Sequence, residues 1–114
     1  MKRKRDNKWL KKHFDMFNRE YFDSTITCCR IRFGIVGKKS DGHFAPEESE
    51  IVISKEMNGH DMIVFMIMLH EMAHRKLWQE GYRGGMFTND PFHGGRWHAE
   101  IDRLYKMGAY EGLL

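Results

Sequence analysis

Cysteine is scarce in this chain: two residues in 114, and they are neighbours, Cys28 and Cys29. Adjacent cysteines cannot supply the paired C-x-x-C spacing of a zinc ribbon, and a disulfide between neighbours is strained. They read as ordinary strand residues, one facing inward, because a free cysteine behaves as a small apolar side chain. Long apolar runs are lacking too. The run Met62 to Leu69 has eight residues, well short of the roughly 20 that a membrane crossing needs. No apolar segment follows Met1-Lys2-Arg3-Lys4-Arg5-Asp6, so no secretory signal is expected, and the expected location is cytoplasm, nucleoid or nucleus. No internal repeat, low-complexity region or linker divides the sequence. One small domain over residues 1–114 is expected, with residues 1–6 as a flexible basic tail.

Hydrophobic residues make up 41% and charged residues 31%, the balance of a soluble globular protein. The net charge is +3. Much of it sits in Lys2, Arg3, Lys4, Arg5, Lys8, Lys11 and Lys12. Such a cluster can meet the phosphates of DNA. It equally suits a solubilising tail and the wet face of a helix.

The stretch that carries chemistry is His70-Glu71-Met72-Ala73-His74, an H-E-x-x-H pattern. Residues four apart on a helix point the same way, so both imidazoles can reach one zinc ion. Glu71 lies roughly 100° around the helix from His70. It can then stand beside the metal without ligating it, as a general base in metal-assisted hydrolysis suits. The apolar run before the motif reads as a buried central helix that surfaces at its metal-binding end. Asn58 is the expected N-cap, with Asp61 in the capping-box place. Gly81 is the expected stop. The helix is expected from about residue 59 to 80.

Catalytic zinc usually takes three protein ligands and leaves a position for water. The extended pattern with Gly and His farther along fails, because Leu77 and Glu80 hold those places. Downstream stand Asp90, His93, His98 and Glu100. His93 opens His93-Gly94-Gly95-Arg96-Trp97, after which Trp97, Ile101 and Leu104 recur at helical spacing. A ligand at the mouth of a helix packed on the metal helix is a stiff way to make the third bond. His98 and Glu100 stay open as alternatives, since a His-His-Glu set also binds zinc.

His70-Glu71-Met72-Ala73-His74 followed by His93-Gly94-Gly95-Arg96-Trp97 resembles the SprT-like metalloproteases, which include the Spartan DNA–protein crosslink proteases. Phe17-Asn18-Arg19-Glu20-Tyr21-Phe22 is similar to that family's opening helix. The resemblance implies zinc on His70, His74 and His93, with Glu71 as catalytic base. It implies a minimal zincin core and a peptide-bond hydrolase whose substrates include DNA-associated proteins. The Gly-rich stretch from His74 to His93 is longer than the family pattern has. The alternatives are a zinc hydrolase of another bond, and a nucleic-acid or protein binding module with a non-catalytic zinc site.

For the rest, the fold class is α+β: a small antiparallel sheet packed with helices. A first helix is expected over residues 7–21, with Leu10, Phe14, Phe17 and Tyr21 on one stripe. A strand is expected from about Thr25 to Val36, where Cys29, Ile31, Phe33 and Ile35 alternate with Arg30 and Arg32. Residues 37–42 and Pro46 to Ser49 read as turns. His43-Phe44-Ala45 reads as a short edge strand and Glu50 to Ser54 as another strand; the resemblance to the zincin core implies that an edge strand, with residues 42–45 the candidate, takes an extended substrate by strand addition. His13 and His60 read as surface residues, and His43 as a solvated loop residue or one that faces the cleft. Residues 81–90 read as a flap or a plain loop. Arg96, His98, Tyr82 and Tyr105 are possible oxyanion donors. Asp90, Glu100 and Asp102 are possible partners for the metal histidines.

Overall fold

The computed structural model describes residues 4–27, 30–37, 41–45, 49–81 and 95–113. The elements are helix α1 (Asn7–Tyr21), strands β1 (Arg30–Gly34), β2 (Gly42–Ala45) and β3 (Glu50–Ser54), a 3-10 turn (Lys55–Met57), and helices α2 (Asp61–Gln79) and α3 (Gly95–Lys106). The fold is α+β, as expected. Among the described residues no helix is long and apolar enough to cross a membrane.

Helix α1 begins where expected because the Asp6 side chain accepts the Trp9 N–H at 2.8 Å, a satisfied N-cap. Leu10, Phe14 and Phe17 are buried along one face. They meet Val64, Met68, Leu69 and Met72 of α2, Ile51 and Ile53 of β3 and Leu104 of α3 in one core. Helix α2 is therefore the centre of the molecule, covered on several sides.

The sheet corrects an expectation. It has three strands in the order β1-β3-β2. β2 pairs antiparallel with β3, but β1 and β3 are parallel, from Arg30↔Glu50 to Gly34↔Ser54. The sheet is mixed, not antiparallel. The chain runs up β1, down β2 and up again in β3, and β3 inserts between the other two. Its residues Ile51, Val52 and Ile53 are all buried, which is the pattern of a strand covered on both faces and so placed centrally.

β1 is shorter than the Thr25–Val36 expectation. Side chains take the backbone groups that a longer ladder would have used. Asn18 donates from Nδ2 to Ile26 O at 3.0 Å, and its Oδ1 accepts the Ile26 N–H at 3.1 Å. Gln79 donates to Thr25 O and accepts the Thr27 N–H, both at 2.8 Å. Arg75 adds a bond to Thr27 O. Two amides thus grip residues 25–27 between α1 and α2. At the other end the alternation stops with Gly34, so Ile35 stands 81% exposed. Cys28 and Cys29 lie outside the described residues.

The start of α2 also differs. Asn58, the expected N-cap, is used elsewhere: its amide pairs with the Arg5 backbone at 2.7 and 2.8 Å. His60 takes the N-cap position, and its side chain makes no capping bond to the helix. Asp61 opens the helix, where the dipole favours an anion, and takes the Arg5 guanidinium at 2.7 and 3.3 Å. Lys4 reaches Asn58 O at 3.0 Å. Lys4, Arg5 and Asp6, expected in a flexible tail, are anchored; residues 1–3 lie outside the described residues. His13, expected at the surface, is half-buried between the rings of Trp9 and Phe65, at 4.6 and 4.9 Å.

Candidate metal centre

Helix α2 ends cleanly at Gly81, whose φ of +86° suits glycine. Its last three turns carry His70, Glu71, His74 and Trp78. The residues facing inward at this level, Leu69, Met72 and Ala73, are fully buried and fix the helix rotation. That rotation leaves His70 and His74 half-buried at the surface of the core. Their Nε2 atoms stand 3.2 Å apart. Two imidazoles on one tetrahedral zinc, with bonds of 2.0–2.1 Å, place their nitrogens about 3.3–3.4 Å apart. The helix therefore presents the pair at chelating distance without rearrangement. Among the described residues His70, Glu71 and His74 form a group that can hold a metal ion, with ligand atoms all within 4.8 Å of one another.

Glu71 turns away from the water and towards the sheet. It is 5% exposed. Burial raises its carboxyl from 4.5 to about 7, because a low-dielectric setting disfavours the charged form. Strand β2 lies directly over it. A Cβ added at Gly42 would come 2.5 Å from Ile67 Cγ2 and 3.3 Å from Glu71 Cγ. Glycine is thus what lets the edge strand approach the helix at the acid. Farther along, Phe44 meets Trp78 edge-on at 6.5 Å, and the Arg75 guanidinium lies 5.9 Å from the Phe44 ring. β2 accordingly runs along α2 past Glu71.

On the other side α3 brings Trp97 against the histidines. The indole lies 4.9 Å from the His70 ring and 5.7 Å from the His74 ring, nearly parallel to the latter at 27°. Sequence reading took Trp97 as a packing residue; the structure makes it a wall of the site. Its signal, the aromatic after His93-Gly94-Gly95-Arg96, was visible without its meaning.

Neither described rival for the third ligand joins the group. His98 is exposed and meets the Trp97 ring edge-on at 5.3 Å. Glu100 is buried, but its oxygens take Arg103 Nε and Nη2 at 2.6 and 2.8 Å and Lys76 Nζ at 3.3 Å. It ties α3 to α2. His93 and Asp90 lie outside the described residues, as do Tyr82 and most of the expected flap. Arg96 reaches Glu80 at 3.4 Å, and Tyr105, 60% exposed, contacts the Tyr110 ring at 6.4 Å. Asp102 pairs with Lys106 at 2.8 Å. Comparison with family models, curated proteins and solved structures finds no match to this chain.

Proposed function

We propose that this chain is a zinc-dependent endopeptidase of the SprT-like kind. One observation carries the reading: two imidazole Nε2 atoms 3.2 Å apart on one helix, beside a buried carboxyl raised to about 7. The donor set fits zinc, which favours nitrogen ligands and four-coordinate geometry. When bound there, the metal supplies Lewis acidity towards water and a peptide carbonyl.

The remaining work belongs to the chain. His70 and His74 hold the ion as neutral imidazoles. His93 is proposed as the third donor. Glu71 accepts a proton from water at a carboxylate oxygen and delivers it to the leaving amine. A buried carboxyl beside the ligand pair is placed to do both. A structural metal site needs no such acid, which disfavours the binding-module reading. β2 is an edge strand beside Glu71, so an extended peptide added to it would pass the acid, held through its backbone. Little sequence preference follows from such a hold. Association with DNA has slimmer support. In the basic cluster Arg5 is committed to Asp61 and Lys11 to Asp15, while Lys8 and Lys12 are exposed.

Metal analysis and cleavage of an unfolded protein substrate, run on the same preparations, test the reading. His74→Ala is expected to lose both metal and cleavage. Glu71→Gln keeps the metal and loses about 10²- to 10⁴-fold in turnover, the usual worth of a positioned base. Cleavage at the unaltered rate by Glu71→Gln removes the assignment.

A further inference from the structure

We infer that Trp97 is a positioning residue of the metal centre, and that the buried Glu100–Lys76 link between α3 and α2 holds it there. The inference rests on the metal-site reading above. It adds two groups that touch no metal and set how well the histidines can bind one.

A single indole lies against both imidazoles, at 4.9 and 5.7 Å. The two imidazoles also meet each other, at 4.9 Å and 67°. Three mutually packed rings restrict one another's rotamers. A histidine pair already ordered at chelating distance loses less entropy when an ion arrives.

Trp97 has this position only while the start of α3 stays on α2. Leu104, farther along α3, is buried in the common core. Among the described residues, two ion pairs tie α3 to α2 and its C-cap on either side of the indole. Arg96, next to Trp97, reaches Glu80 at 3.4 Å, with both side chains well exposed. Glu100, one helical turn after Trp97, reaches Lys76 at 3.3 Å with its carboxylate buried. Lys76 lies on the metal helix, so this link joins α3 to the element that carries the ligands. Arg103 clamps the same carboxylate through Nε and Nη2 and fixes its direction. Exposed pairs contribute little. Of the two ion pairs, the buried one therefore does more to hold the register of Trp97, alongside the apolar packing of Leu104.

The test is the zinc affinity of the full chain, measured by competition with a chromophoric chelator, alongside thermal melting of the metal-free protein. Trp97→Ala is expected to weaken zinc binding about tenfold, the low end of what groups supporting metal ligands are worth. Trp97→Phe, which keeps an aromatic face, recovers most of the loss. Glu100→Gln weakens binding in the same direction. Because it acts through Trp97, the double variant loses less than the two single losses combined. A purely structural role would lower melting temperature and leave the affinity of the folded protein unchanged. Unaltered affinity in Trp97→Ala, or full additivity in the double variant, overturns the inference while the metal reading stands. If unaltered protein takes up no zinc, the metal reading fails and the inference with it. Should Trp97→Ala not fold, Trp97→Leu replaces it with the same outcomes.

Discussion

Glu71 and Glu100 are buried to nearly the same depth, 5% and 4% exposed, on opposite sides of α2. The side towards α3 surrounds its carboxylate with cations: Arg103 in two bonds and Lys76 in an ion pair. On the side towards β2, Gly42 comes close to Ile67 and to the Glu71 side chain, and burial drives the carboxyl up to about 7. Folding tolerates a buried charge when partners replace the lost water. It tolerates a buried acid without them only by keeping it protonated, or by leaving the cost in place for some other benefit. The first region has the chemistry of a structural clasp. The second has the chemistry of a site.

The comparison predicts opposite responses to removal of the two carboxylates in metal-free protein. Glu71 gives the larger effect. Its proton leaves the unfolded chain near 4.5 but stays on the folded chain until about 7. Between those values the native state binds more protons, so stability falls as pH rises, and above about 7 the loss is complete. The full loss is about 3 kcal/mol, at 1.36 kcal/mol per unit. Chemical denaturation in the presence of a chelator, from pH 4.5 to 8, should show that decline. Glu71→Gln should remove it. A decline equally steep in the variant would mean that Glu71 is not its source.

Glu100→Ala is expected to act in the other direction, destabilising by about 2 kcal/mol at neutral pH. Breaking a buried pair commonly costs more. Here Lys76 and Arg103 keep 23% and 36% of their side-chain surface in water, which softens the penalty. Equilibrium unfolding of the metal-free variant measures it. A variant as stable as the parent would erase the distinction between clasp and site.

What the sequence disclosed follows the range of the interactions involved. The bounds of α1 and β3 were legible because an N-cap, an apolar stripe and an Ile-Val-Ile run act locally. So was the meeting of His70, Glu71 and His74, which needs only helical spacing. The start of α2 was misread because Asn58 spends its amide on Arg5, 53 residues away. β1 was read too long because Asn18 and Gln79 claim the backbone before it. The direction of β1 against β3 depends on which strand inserts where, and no local pattern records that. The rest of the site is of the same kind. Glu100 and Arg103 have the spacing of a helical pair, but nothing marks Lys76 as their partner, or Gly42 as the strand residue above Glu71. The third ligand stays a reading of the sequence, since His93 is outside the described residues.

Lys76 allows the comparison to be made within one cation. Its Nζ lies 3.1 Å from Glu80 and 3.3 Å from Glu100, and the two carboxylate side chains are 41% and 3% exposed. Charge and distance are thus nearly matched, and solvent is the main variable. Water screens the Glu80 pair and offers both groups other partners when it breaks, so Glu80→Ala is expected to cost below about 1 kcal/mol. Arg96 loses a partner in the same variant, but that contact is also exposed and adds little. Salt should erase most of the Glu80 effect, because exposed pairs are screened within about a Debye length, and leave most of the Glu100 effect. Unfolding of both variants at low and high salt reads both quantities. Equal costs with equal salt dependence would mean that burial does not govern these pairs. The contrast drawn between the two faces of α2 would then lose its physical basis.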